Sequence, residues 1–465
     1  MEYGLIGEHL GHSFSKEIHE KLSGRPYELR EIAREDLAAF LERREFLGIN
    51  VTIPYKEAVI PHLDVLSDEA RAIGAVNTIV NRDGRLYGYN TDYSGFLALA
   101  DQAGVRFEGR KVLILGAGGA AKCVAAAARD RGAASVEHAV RSPRTPEQRS
   151  LQDLQAGGPY EVIVNCTPVG MFPHDEGRIV DLTAFPNLQG VLDLIYNPLR
   201  TNLILDAEAL GVPASGGLYM LVAQAVKARD YFGTVENVVN AHEITSTSMR
   251  ASARTAEAGT EPALLAMSVG REPRGVLGGR APSAVEASLP IGAPAALAQT
   301  FSALLKAKRN IVLIGMPSCG KTTLARALAK RSGRRYLDTD ALITERAGKP
   351  IPEIFAEQGE AAFRALESKV IEGLSASTGL VLSTGGGAIL DPENVRRLRR
   401  NGLLCCIRRD PSLLRATPDR PLSRSPEALR ALYEQRKEAY AAATDLTIDN
   451  NGPLEATLKA FEDLL

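Results

Sequence analysis

Residues 315–323, GMPSCGKTT, have the residue types and the spacing that hold phosphate groups. They fit the pattern G-x-x-x-x-G-K-[ST] and follow the apolar stretch NIVLI, which is the strand-then-loop order of a P-loop. In such a loop the backbone N–H groups surround the phosphates, Lys321 reaches the β and γ oxygens, and the hydroxyl of Thr322 ligates Mg²⁺. The pattern predicts that ATP is bound by Gly315, Ser318, Cys319, Gly320, Lys321, Thr322 and Thr323. The loop alone does not distinguish a kinase from another nucleotide hydrolase.

Carboxylates and arginines downstream of this loop could hold the molecule that accepts the phosphoryl group. Asp338 and Asp340 lie two residues apart after a predicted strand, so one can face a metal while the other meets a hydroxyl. The triple glycine at 385–387 lets the backbone approach a ligand closely, and arginine pairs with a carboxylate through two N–H donors. The candidate arginines are Arg364, Arg420 and Arg436. Taken singly, such residues are more typical of structural carboxylates, glycine turns and helix surfaces.

A second glycine loop, GAGGAA at 116–121, follows the apolar stretch KVLIL and opens an Ala-rich helix. Its G-x-G-x-x-A spacing lets a pyrophosphate approach the helix N-terminus. The next strand ends in AVRSPRT, where a carboxylate would favour NAD; basic and hydroxyl groups there favour NADP instead. The candidate cofactor residues are Gly116, Gly118, Gly119, Ala120, Ala121, Arg141, Ser142 and Arg144. A glycine turn that serves packing and a solvated basic turn are the alternatives.

Short polar side chains are clustered before this second loop, in HSFS, NVTIPYK, AVNT and GYNTD. They can hydrogen-bond a polyhydroxylated ligand, and a lysine with a carboxylate can move the proton that a carbonyl gains as hydride arrives. The candidates are Ser13, Ser15, Asn50, Thr52, Lys56, Asn77, Asn90 and Asp92. Taken singly, the Asn, Ser and Thr residues are more typical of helix caps and Asx turns, and Lys56 of a surface lysine.

Alternating apolar runs and helix-like stretches are the elements that must position these residues. Such a pattern predicts an α/β protein, and 465 residues suggest two to four domains. The runs KVLILG, SVEHAV, VIVNCT and VLDLIY predict a parallel, doubly wound sheet of the Rossmann type. NIVLI, GLVLST and LLCCI predict a further parallel sheet beneath the P-loop. Between the two, residues 251–306 are rich in Ala, Gly, Pro and Ser and are interpreted as a linker.

Composition narrows the class of partner. The net charge of -1 gives no electrostatic basis for binding nucleic acid or an anionic membrane, so small metabolites are expected. The five cysteines are odd in number and lack metal-ligand spacing, which is typical of reduced thiols in a cytosol. No apolar run reaches the ~18 residues that suggest a membrane span, and we expect a cytoplasmic protein.

The segments HSFS, NVTIPYK, GAVNT, NTD, GAGGAA, NCTPVGM, DLIYNPLRT and GLYMLVAQA occur in the order found in shikimate dehydrogenase, which residues 1–245 therefore resemble. The resemblance implies reversible NADPH-dependent reduction of 3-dehydroshikimate to shikimate, with Lys56 and Asp92 as the catalytic pair. It implies substrate contacts from Ser13, Ser15, Asn50, Thr52, Asn77, Gln224 and, in a supporting role, Tyr196. The chain departs from the family at two places: Val140-Arg141-Ser142 replaces the common Asn-Arg-Thr, and Tyr219 stands where glycine is frequent.

The segments LDTD, GEAAFRALE, STGGGA, DRPL and YEQRKEAY, with the P-loop, resemble shikimate kinase over residues 307–465. The resemblance implies that Asp338 supports Mg²⁺ with Thr322 and that Asp340 orients or deprotonates the attacking hydroxyl. It implies that shikimate is bound by Asp340, Arg364, Gly386, Gly387 and Arg436, the two arginines on its carboxylate. Arg420 would be the lid arginine that stabilises the transferring phosphoryl group. The lid is a few residues shorter than usual, and Ser423 replaces a typical leucine.

Together the two resemblances predict a bifunctional enzyme that makes shikimate and phosphorylates its 3-hydroxyl, consecutive steps toward chorismate and the aromatic amino acids. The predicted domains are a substrate domain at 1–102 completed by about 218–245, a Rossmann NADP domain at 103–217, the linker at 251–306 and a kinase domain at 307–465. One alternative is a quinate/shikimate dehydrogenase joined to a kinase for another small hydroxy acid. Another is that one half no longer catalyses and serves as a ligand sensor. A flexible linker would raise the effective concentration of one half near the other.

Overall fold

A computed structural model describes residues 1–11, 13–233, 293–415 and 425–464. The chain forms two compact units, one made of Met1–Phe96 and the chain from Val222, the other of Leu97–Leu221 and Ala298–Leu465. Three sheets organise them, and the α/β class predicted from the alternating pattern is confirmed. Within the described ranges, no helix has both the length and the apolar character of a membrane span.

The first unit is built on a six-stranded sheet of mixed direction, in the order β2-β1-β3-β5-β6-β4. Its strands are β1 (Tyr3–Gly7), β2 (Glu28–Glu31), β3 (Gly48–Val51), β4 (Val65–Leu66), β5 (Thr78–Arg82) and β6 (Arg85–Tyr89). Strand β5 runs antiparallel to both β3 and β6. The helices are α1 (Ser15–Ser23), α2 (Leu37–Arg43), α3 (Asp68–Ile73) and the first turn of α4 (Asp92–Ala103). A further helix, α7 (218–233), returns to this unit at Val222.

The second unit contains a six-stranded parallel sheet in the order β12-β11-β10-β7-β8-β9. Its strands are β7 (Lys111–Leu115), β8 (Ser135–Val140), β9 (Gln148–Ser150), β10 (Val162–Asn165), β11 (Gly190–Asp193) and β12 (Ala214–Ser215). Helices α5 (Gly119–Asp130) and α6 (Asn202–Ala209) flank the sheet. The four apolar runs between residues 111 and 196 are strands, as predicted. β7, β10 and β11 are buried over most of their length, which explains their apolar sequences, whereas β8 is half-buried and contains Glu137 and His138.

The same unit contains a five-stranded parallel sheet in the order β14-β15-β13-β16-β17. Its strands are β13 (Asn310–Ile314), β14 (Arg335–Asp338), β15 (Leu380–Ser383), β16 (Gly402–Arg408) and β17 (Leu446–Asp449). The helices are α8 (Ala293–Lys308), which belongs to this unit from Ala298 onward, α9 (Lys321–Ser332), α10 (Thr339–Ala347), α11 (Ile351–Leu374), α12 (Pro392–Asn401), α13 (Pro426–Ala443) and α14 (Leu454–Lys459). The loops that carry the candidate residues follow the carboxyl ends of β13, β14 and β15, where ligands bind in open α/β sheets.

Some sequence predictions concern residues outside the described ranges. These are residues 234–245 of the substrate domain, residues 251–292 of the linker, and Arg420 and Ser423 of the lid. The last part of the predicted linker, 293–306, differs from the prediction, because it lies in helix α8. The apolar side chains of Leu297, Phe301 and Leu304 recur there at helical spacing, and both leucines are buried.

Candidate active sites

Lys56 and Asp92 form a close ion pair in the first unit. Lys56 Nζ lies 2.6 Å from Asp92 Oδ2, and both side chains are largely shielded from solvent. The β5–β6 hairpin causes this meeting, because it returns the chain from Asn77 to the end of β6, where Asp92 begins α4. Val76 N–H donates to the Lys56 carbonyl at 2.8 Å and fixes the turn after β3. A protonated lysine oriented by a carboxylate is suited to proton transfer at a bound substrate.

Two of the predicted substrate residues, Asn77 and Gln224, are joined through Thr91. Asn77 Nδ2 donates to Thr91 Oγ1 at 3.0 Å, and Asn77 Oδ1 accepts from the Thr91 N–H at 2.7 Å. The Thr91 hydroxyl lies 3.3 Å from Gln224 Oε1. All three side chains are buried. Thr91 lies between Asn90 and Asp92 in the NTD segment and positions Asn77 and Gln224. It was not among the residues predicted from the sequence.

Asn50 is positioned by a second network in the same unit. The Tyr27 hydroxyl donates to Asn50 Oδ1 at 2.7 Å, and Asn50 Nδ2 donates to Thr78 Oγ1 at 3.0 Å. Burial raises the pKa of Tyr27 well above its usual value, so the hydroxyl remains a donor. The Tyr27 ring stacks on His19 of α1 at 4.2 Å between centroids. Tyr27 was not predicted, since nothing in its local sequence signals a site.

The remaining substrate candidates lie on separate segments. Ser13 and Ser15 form a pair at the start of α1, in which Ser13 Oγ accepts from the Ser15 N–H at 3.2 Å. Thr52 follows β3, and its N–H donates to the Ile6 carbonyl at 3.0 Å. Tyr196 belongs to the second unit, where it follows β11 in a half-buried loop.

The glycine loop after β7 leads into the N-terminus of helix α5 and leaves open space there. Gly116 adopts φ +108°, and a Cβ there would lie 3.1 Å from the Thr167 side chain. Gly118 is the N-cap of α5, and a Cβ there would meet nothing within 4 Å. Packing within the described residues therefore does not require Gly118 to be glycine, whereas a ligand at the helix N-terminus would use that open space. The first turn of α5 contains Gly119, Ala120 and Ala121, and the exposed Arg141, Ser142 and Arg144 follow β8.

Asp193, at the end of β11, anchors the loop that carries Tyr196. It is fully buried and accepts hydrogen bonds from Asn165 Nδ2 at 3.0 Å, the Ile195 N–H at 3.0 Å and Thr201 Oγ1 at 2.6 Å. Burial raises its pKa to about 7, and the hydrogen bonds oppose that rise. Thr201 is also the N-cap of α6. Sequence reasoning did not single out this aspartate.

The P-loop forms a cradle between β13 and α9. Gly320 adopts φ +97°, and a Cβ there would lie 2.5 Å from Asn450 Nδ2. Lys321 Nζ donates to the carbonyls of Gly315 at 2.8 Å and Met316 at 3.0 Å. Asn450 Nδ2 donates to the Cys319 carbonyl at 2.7 Å and so supports the loop from β17. The predicted residues Ser318, Thr322 and Thr323 lie in this loop and the first turn of α9.

The pair predicted to hold a metal also comes together. Thr322 Oγ1 lies 3.3 Å from Asp338 Oδ2, which accepts from the Tyr336 hydroxyl at 2.9 Å. Asp338 caps α10 by accepting from the Asp340 N–H at 3.0 Å. In the described part of the chain, no group of three or more His, Cys, Asp or Glu side chains could hold a metal alone. A hydroxyl and one carboxylate fit Mg²⁺, which keeps waters and uses substrate phosphates as ligands.

The candidate acceptor residues surround the triple glycine. A Cβ on Gly385 would lie 2.7 Å from Asp340 Oδ1 and 2.8 Å from Glu367 Oε1, so the two carboxylates flank this glycine. A Cβ on Gly387 would overlap the guanidinium of Arg364. Arg364 Nη1 pairs with Glu367 Oε2 at 2.7 Å. The predicted residues Asp340, Arg364 and Gly387 therefore lie together, with Glu367 between the first two.

Arg436 reaches the same glycine loop from α13. Its Nη1 donates to the Gly386 carbonyl at 2.9 Å, and the Tyr440 hydroxyl donates to the same oxygen at 2.6 Å. Burial raises the pKa of Glu367 and lowers that of Arg436. The partly buried Arg364 and the buried Arg436 lie beside a neutral glycine backbone and are suited to a carboxylate ligand. Glu367 and Tyr440 were missed, although their spacing three and four residues after Arg364 and Arg436 places each pair on one helix face.

Comparison with known proteins identifies both halves of the chain. The family model for the shikimate dehydrogenase substrate binding domain matches residues 5–79, and the model for shikimate kinase matches residues 317–464. The shikimate dehydrogenase (NADP⁺) of Clostridium perfringens strain SM101 is 37% identical over 252 residues, which are 50% of this chain and 93% of that enzyme. The chain belongs to the shikimate dehydrogenase family. Its C-terminal part is a shikimate kinase domain.

Other relatives match the same dehydrogenase half. The shikimate dehydrogenase (NADP⁺) of Geobacillus kaustophilus strain HTA426 is 38% identical over 248 residues, 49% of this chain and 90% of that enzyme. A crystal structure of shikimate dehydrogenase 1 from Peptoclostridium difficile is 35% identical, with a TM-score of 0.47, and covers 50% of this chain and 92% of its own. The chain is an enzyme with an oxidoreductase half and a kinase half, and both family resemblances stated from the sequence are confirmed.

Proposed function

We propose that the chain is a bifunctional enzyme acting on one metabolite. Its dehydrogenase half reduces 3-dehydroshikimate to shikimate with NADPH, and its kinase half transfers the γ-phosphoryl group of ATP to the 3-hydroxyl of shikimate. One observation carries the proposal: each half retains an assembled set of reacting side chains. They are the Lys56–Asp92 pair at 2.6 Å and, beside Gly385, Asp340 with Glu367.

In the dehydrogenase half, Lys56 donates the proton that the carbonyl oxygen gains during reduction. NADPH supplies the hydride when bound. Asp92 keeps the ammonium group of Lys56 oriented, and in the reverse direction Lys56 takes the proton back. Asn77 and Gln224, held by Thr91, bind substrate hydroxyls. The positive charge of Arg141 supports the choice of NADP, since guanidinium groups pair with a 2′-phosphate.

In the kinase half, Arg364 and Arg436 bind the carboxylate of shikimate, while Asp340 orients its 3-hydroxyl and accepts the proton. Lys321 exchanges its contacts with loop carbonyls for the phosphate oxygens of ATP. Thr322 and Asp338 would hold Mg²⁺, which neutralises developing phosphate charge. Arg420 remains the proposed lid arginine.

The other finer assignments are part of the same proposal. They are the substrate roles of Ser13, Ser15, Asn50, Thr52, Tyr196, Gly386 and Gly387, the NADP and ATP contacts of the two loops, and the domain boundaries predicted above, except that residues 293–306 belong to helix α8. Shikimate is the shared small-molecule ligand of the two halves. The cytoplasmic location expected from the cysteines, all five of which are free thiols, also stays a prediction.

A single reaction tests the proposal. The full chain is supplied with 3-dehydroshikimate, NADPH, ATP and Mg²⁺, and shikimate 3-phosphate is followed by mass spectrometry. Lys56→Ala should abolish NADPH oxidation and leave phosphorylation of added shikimate intact, whereas Lys321→Ala should do the reverse, so each variant is the control for the other. An unchanged rate in the reaction assigned to the altered lysine would refute that assignment.

A substrate panel separates the proposal from its nearest alternative. Quinate has a saturated ring with one more hydroxyl than shikimate, and a site that hydrogen-bonds this extra hydroxyl would reject shikimate, which lacks it. We expect shikimate to exceed quinate in kcat/KM for both halves. A preference for quinate in oxidation, or failure of shikimate as phosphoryl acceptor, would favour a quinate/shikimate dehydrogenase fused to a different kinase.

A further inference from the structure

Helix α12 carries an unusual number of arginines, and most of them contact the NADP-binding domain, which lies in the same compact unit. Four of the five residues from 396 to 400 are arginine, in the segment RRLRR. Three of them, Arg396, Arg397 and Arg400, contact the dehydrogenase half and are called the arginine face below. Charged residues on this helix would be expected to lie in solvent, so their partners need explanation.

Arg400 is at the centre of the arginine face. Its side chain is 1% exposed and its Nη1 lies 2.9 Å from Asp175 Oδ2, whose side chain is 9% exposed. Its Nη2 also lies 3.5 Å from Asn202 Oδ1. An ion pair excluded from water depends on both partners, because removing one leaves an uncompensated buried charge. Arg400 belongs to the kinase half and Asp175 to the dehydrogenase half, so this buried ion pair joins the two halves of the chain.

The neighbouring arginines extend the contact along α6. Arg396 Nε donates to Asn202 Oδ1 at 2.8 Å and its Nη2 to the Asn202 carbonyl at 2.9 Å, and the same guanidinium pairs with the Asp206 carboxylate. Arg397 Nη2 lies 3.1 Å from Glu176 Oε1. The opposing surface is thus acidic and includes Asp175, Glu176 and Asp206, so the charges of the two surfaces are complementary.

The dehydrogenase half returns contacts to the end of α12. Arg200 N–H donates to the Arg400 carbonyl at 2.9 Å, Arg200 Nε to the Arg399 carbonyl at 3.0 Å and Arg200 Nη2 to the Gly402 carbonyl at 2.8 Å. The Leu199 N–H donates to Asn401 Oδ1 at 2.9 Å. A cation at a helix C-terminus satisfies carbonyls that have no partner within the helix and interacts favourably with the helix dipole.

Tyr219 makes a separate aromatic contact between the same halves. Its ring meets Phe301 of α8 edge-on, with 5.0 Å between centroids and 70° between planes. Tyr219 is the residue that stands where the resembled family often has glycine. Phe301 lies in helix α8, which leads into the kinase half. The aromatic partner of Tyr219 is therefore present only in a chain that contains this helix.

We propose that these contacts form a docking surface on the NADP-binding domain, and that the kinase half of the same chain binds to this surface. The interface holds the NADP-binding domain and the kinase half together even when the covalent connection between them is cut. The residues of this surface are also close in sequence to candidate site residues of both halves. Helix α12 begins shortly after the glycines 385–387, and Arg200 follows Tyr196 by four residues. The NADP-binding domain and the kinase half are then a fixed pair rather than modules joined only by a flexible linker.

Cleavage of the folded full chain tests this directly. A recognition sequence for a site-specific protease is placed between residues 251 and 292, the purified protein is cleaved, and the fragments are examined by native mass spectrometry over a dilution series. We expect both fragments to remain in one 1:1 complex. Separation of the wild-type fragments at micromolar concentration would overturn the proposal.

Substitutions locate the surface. Arg400→Met should raise the dissociation constant of the cleaved fragments about 100-fold or more, as for other buried charge pairs that lose one partner. Combining it with Asp175→Met should restore much of the affinity, because both charges are then removed. Arg396→Ala, at a more accessible position, should weaken binding about tenfold. The matched control is Arg331→Ala, since Arg331 pairs with Glu455 and Glu462 inside the kinase half.

The outcomes separate docking from misfolding. Circular dichroism and the two activities of each uncleaved variant report whether both halves are folded. If Arg400→Met fails to fold, Arg396→Ala decides the question, because its side chain is not enclosed. Fragments that stay together equally in Arg396→Ala, Arg400→Met and Arg331→Ala would show that the arginine face does not hold them and would overturn the proposal.

Discussion

Asp193→Asn should remove a pH-dependent destabilisation from the NADP-binding domain. Burial raises the pKa of Asp193 to about 7 in the folded protein, whereas an unfolded aspartate titrates near ~3.9. The folded state therefore binds the proton more tightly. The stabilisation that the proton on Asp193 gives the folded state is fully present below about pH 4 and is lost as the pH rises through about 7.

The size of the effect follows from the two pKa values. At ~1.36 kcal/mol for each pKa unit, ionisation should cost the wild type about 3 kcal/mol between pH 5 and pH 8 relative to Asp193→Asn. That free energy corresponds to an increase on the order of 100-fold in the equilibrium constant for opening. Asparagine keeps the shape of the side chain and can still bond Asn165 and Thr201.

Hydrogen exchange measured by mass spectrometry can follow the opening of this region as a function of pH. Peptides that cover β11 and α6 are compared between wild type and variant at each pH, so that the intrinsic pH dependence of exchange cancels. The control is Asp181→Asn, because hydrogen bonds from Thr183 lower the pKa of the exposed Asp181 and its stabilisation is lost as pH falls. A wild-type-minus-variant difference in the free energy of opening that stays flat, or that rises with pH, would refute the reasoning.

Other consequences of the two sites can be measured in the full chain. Asp92→Asn should lower the kcat of the dehydrogenase reaction by roughly 10²–10⁴-fold without changing the kinase reaction, because the Lys56 ammonium loses its partner. Tyr440→Phe removes one of two donors to the Gly386 carbonyl and should raise the KM for the phosphoryl acceptor about fivefold, with kcat little changed. Arg141→Ala should raise the KM for NADPH about tenfold and leave that for NADH unchanged; equal effects on both cofactors would contradict a 2′-phosphate contact. Chelation of divalent metal by EDTA should abolish phosphorylation and leave NADPH oxidation intact.

The fold could be predicted where local pattern and tertiary environment agree. After their first residues, KVLIL and NIVLI are apolar because parallel strands are covered on both faces, and both are central strands of their sheets. Helix α8 was assigned to the linker because its alanines and proline match the composition of the preceding segment. The spacing of Phe301 and Leu304 is the stronger signal, since side chains three residues apart lie on one side of a helix.

The candidate sites could be predicted where one loop carries the chemistry. The P-loop lies within nine consecutive residues, so spacing alone identifies it. Thr91, in contrast, acts by joining Asn77 to Gln224. Gln224 lies 133 residues after Thr91, and no local sequence pattern indicates such a contact. Glu367 reads as an ordinary surface carboxylate on a helix, and only its burial beside Asp340 and Arg364 shows that its charge bears on the acceptor pocket.

The arginine face has a practical consequence for work on the kinase half alone. A fragment beginning near residue 293 would expose Arg396, Arg397 and Arg400 together, and Asp175, Glu176 and Asp206 would remain on the other fragment. Glu393 of the same helix would be left as the acidic partner of Arg397 and Arg400. Such an excess of guanidinium groups attracts polyanions such as nucleic acid, so the fragment should co-purify with them at low salt. Replacing these arginines with glutamine would be a sensible first step in preparing an isolated kinase for crystallisation or inhibitor screening.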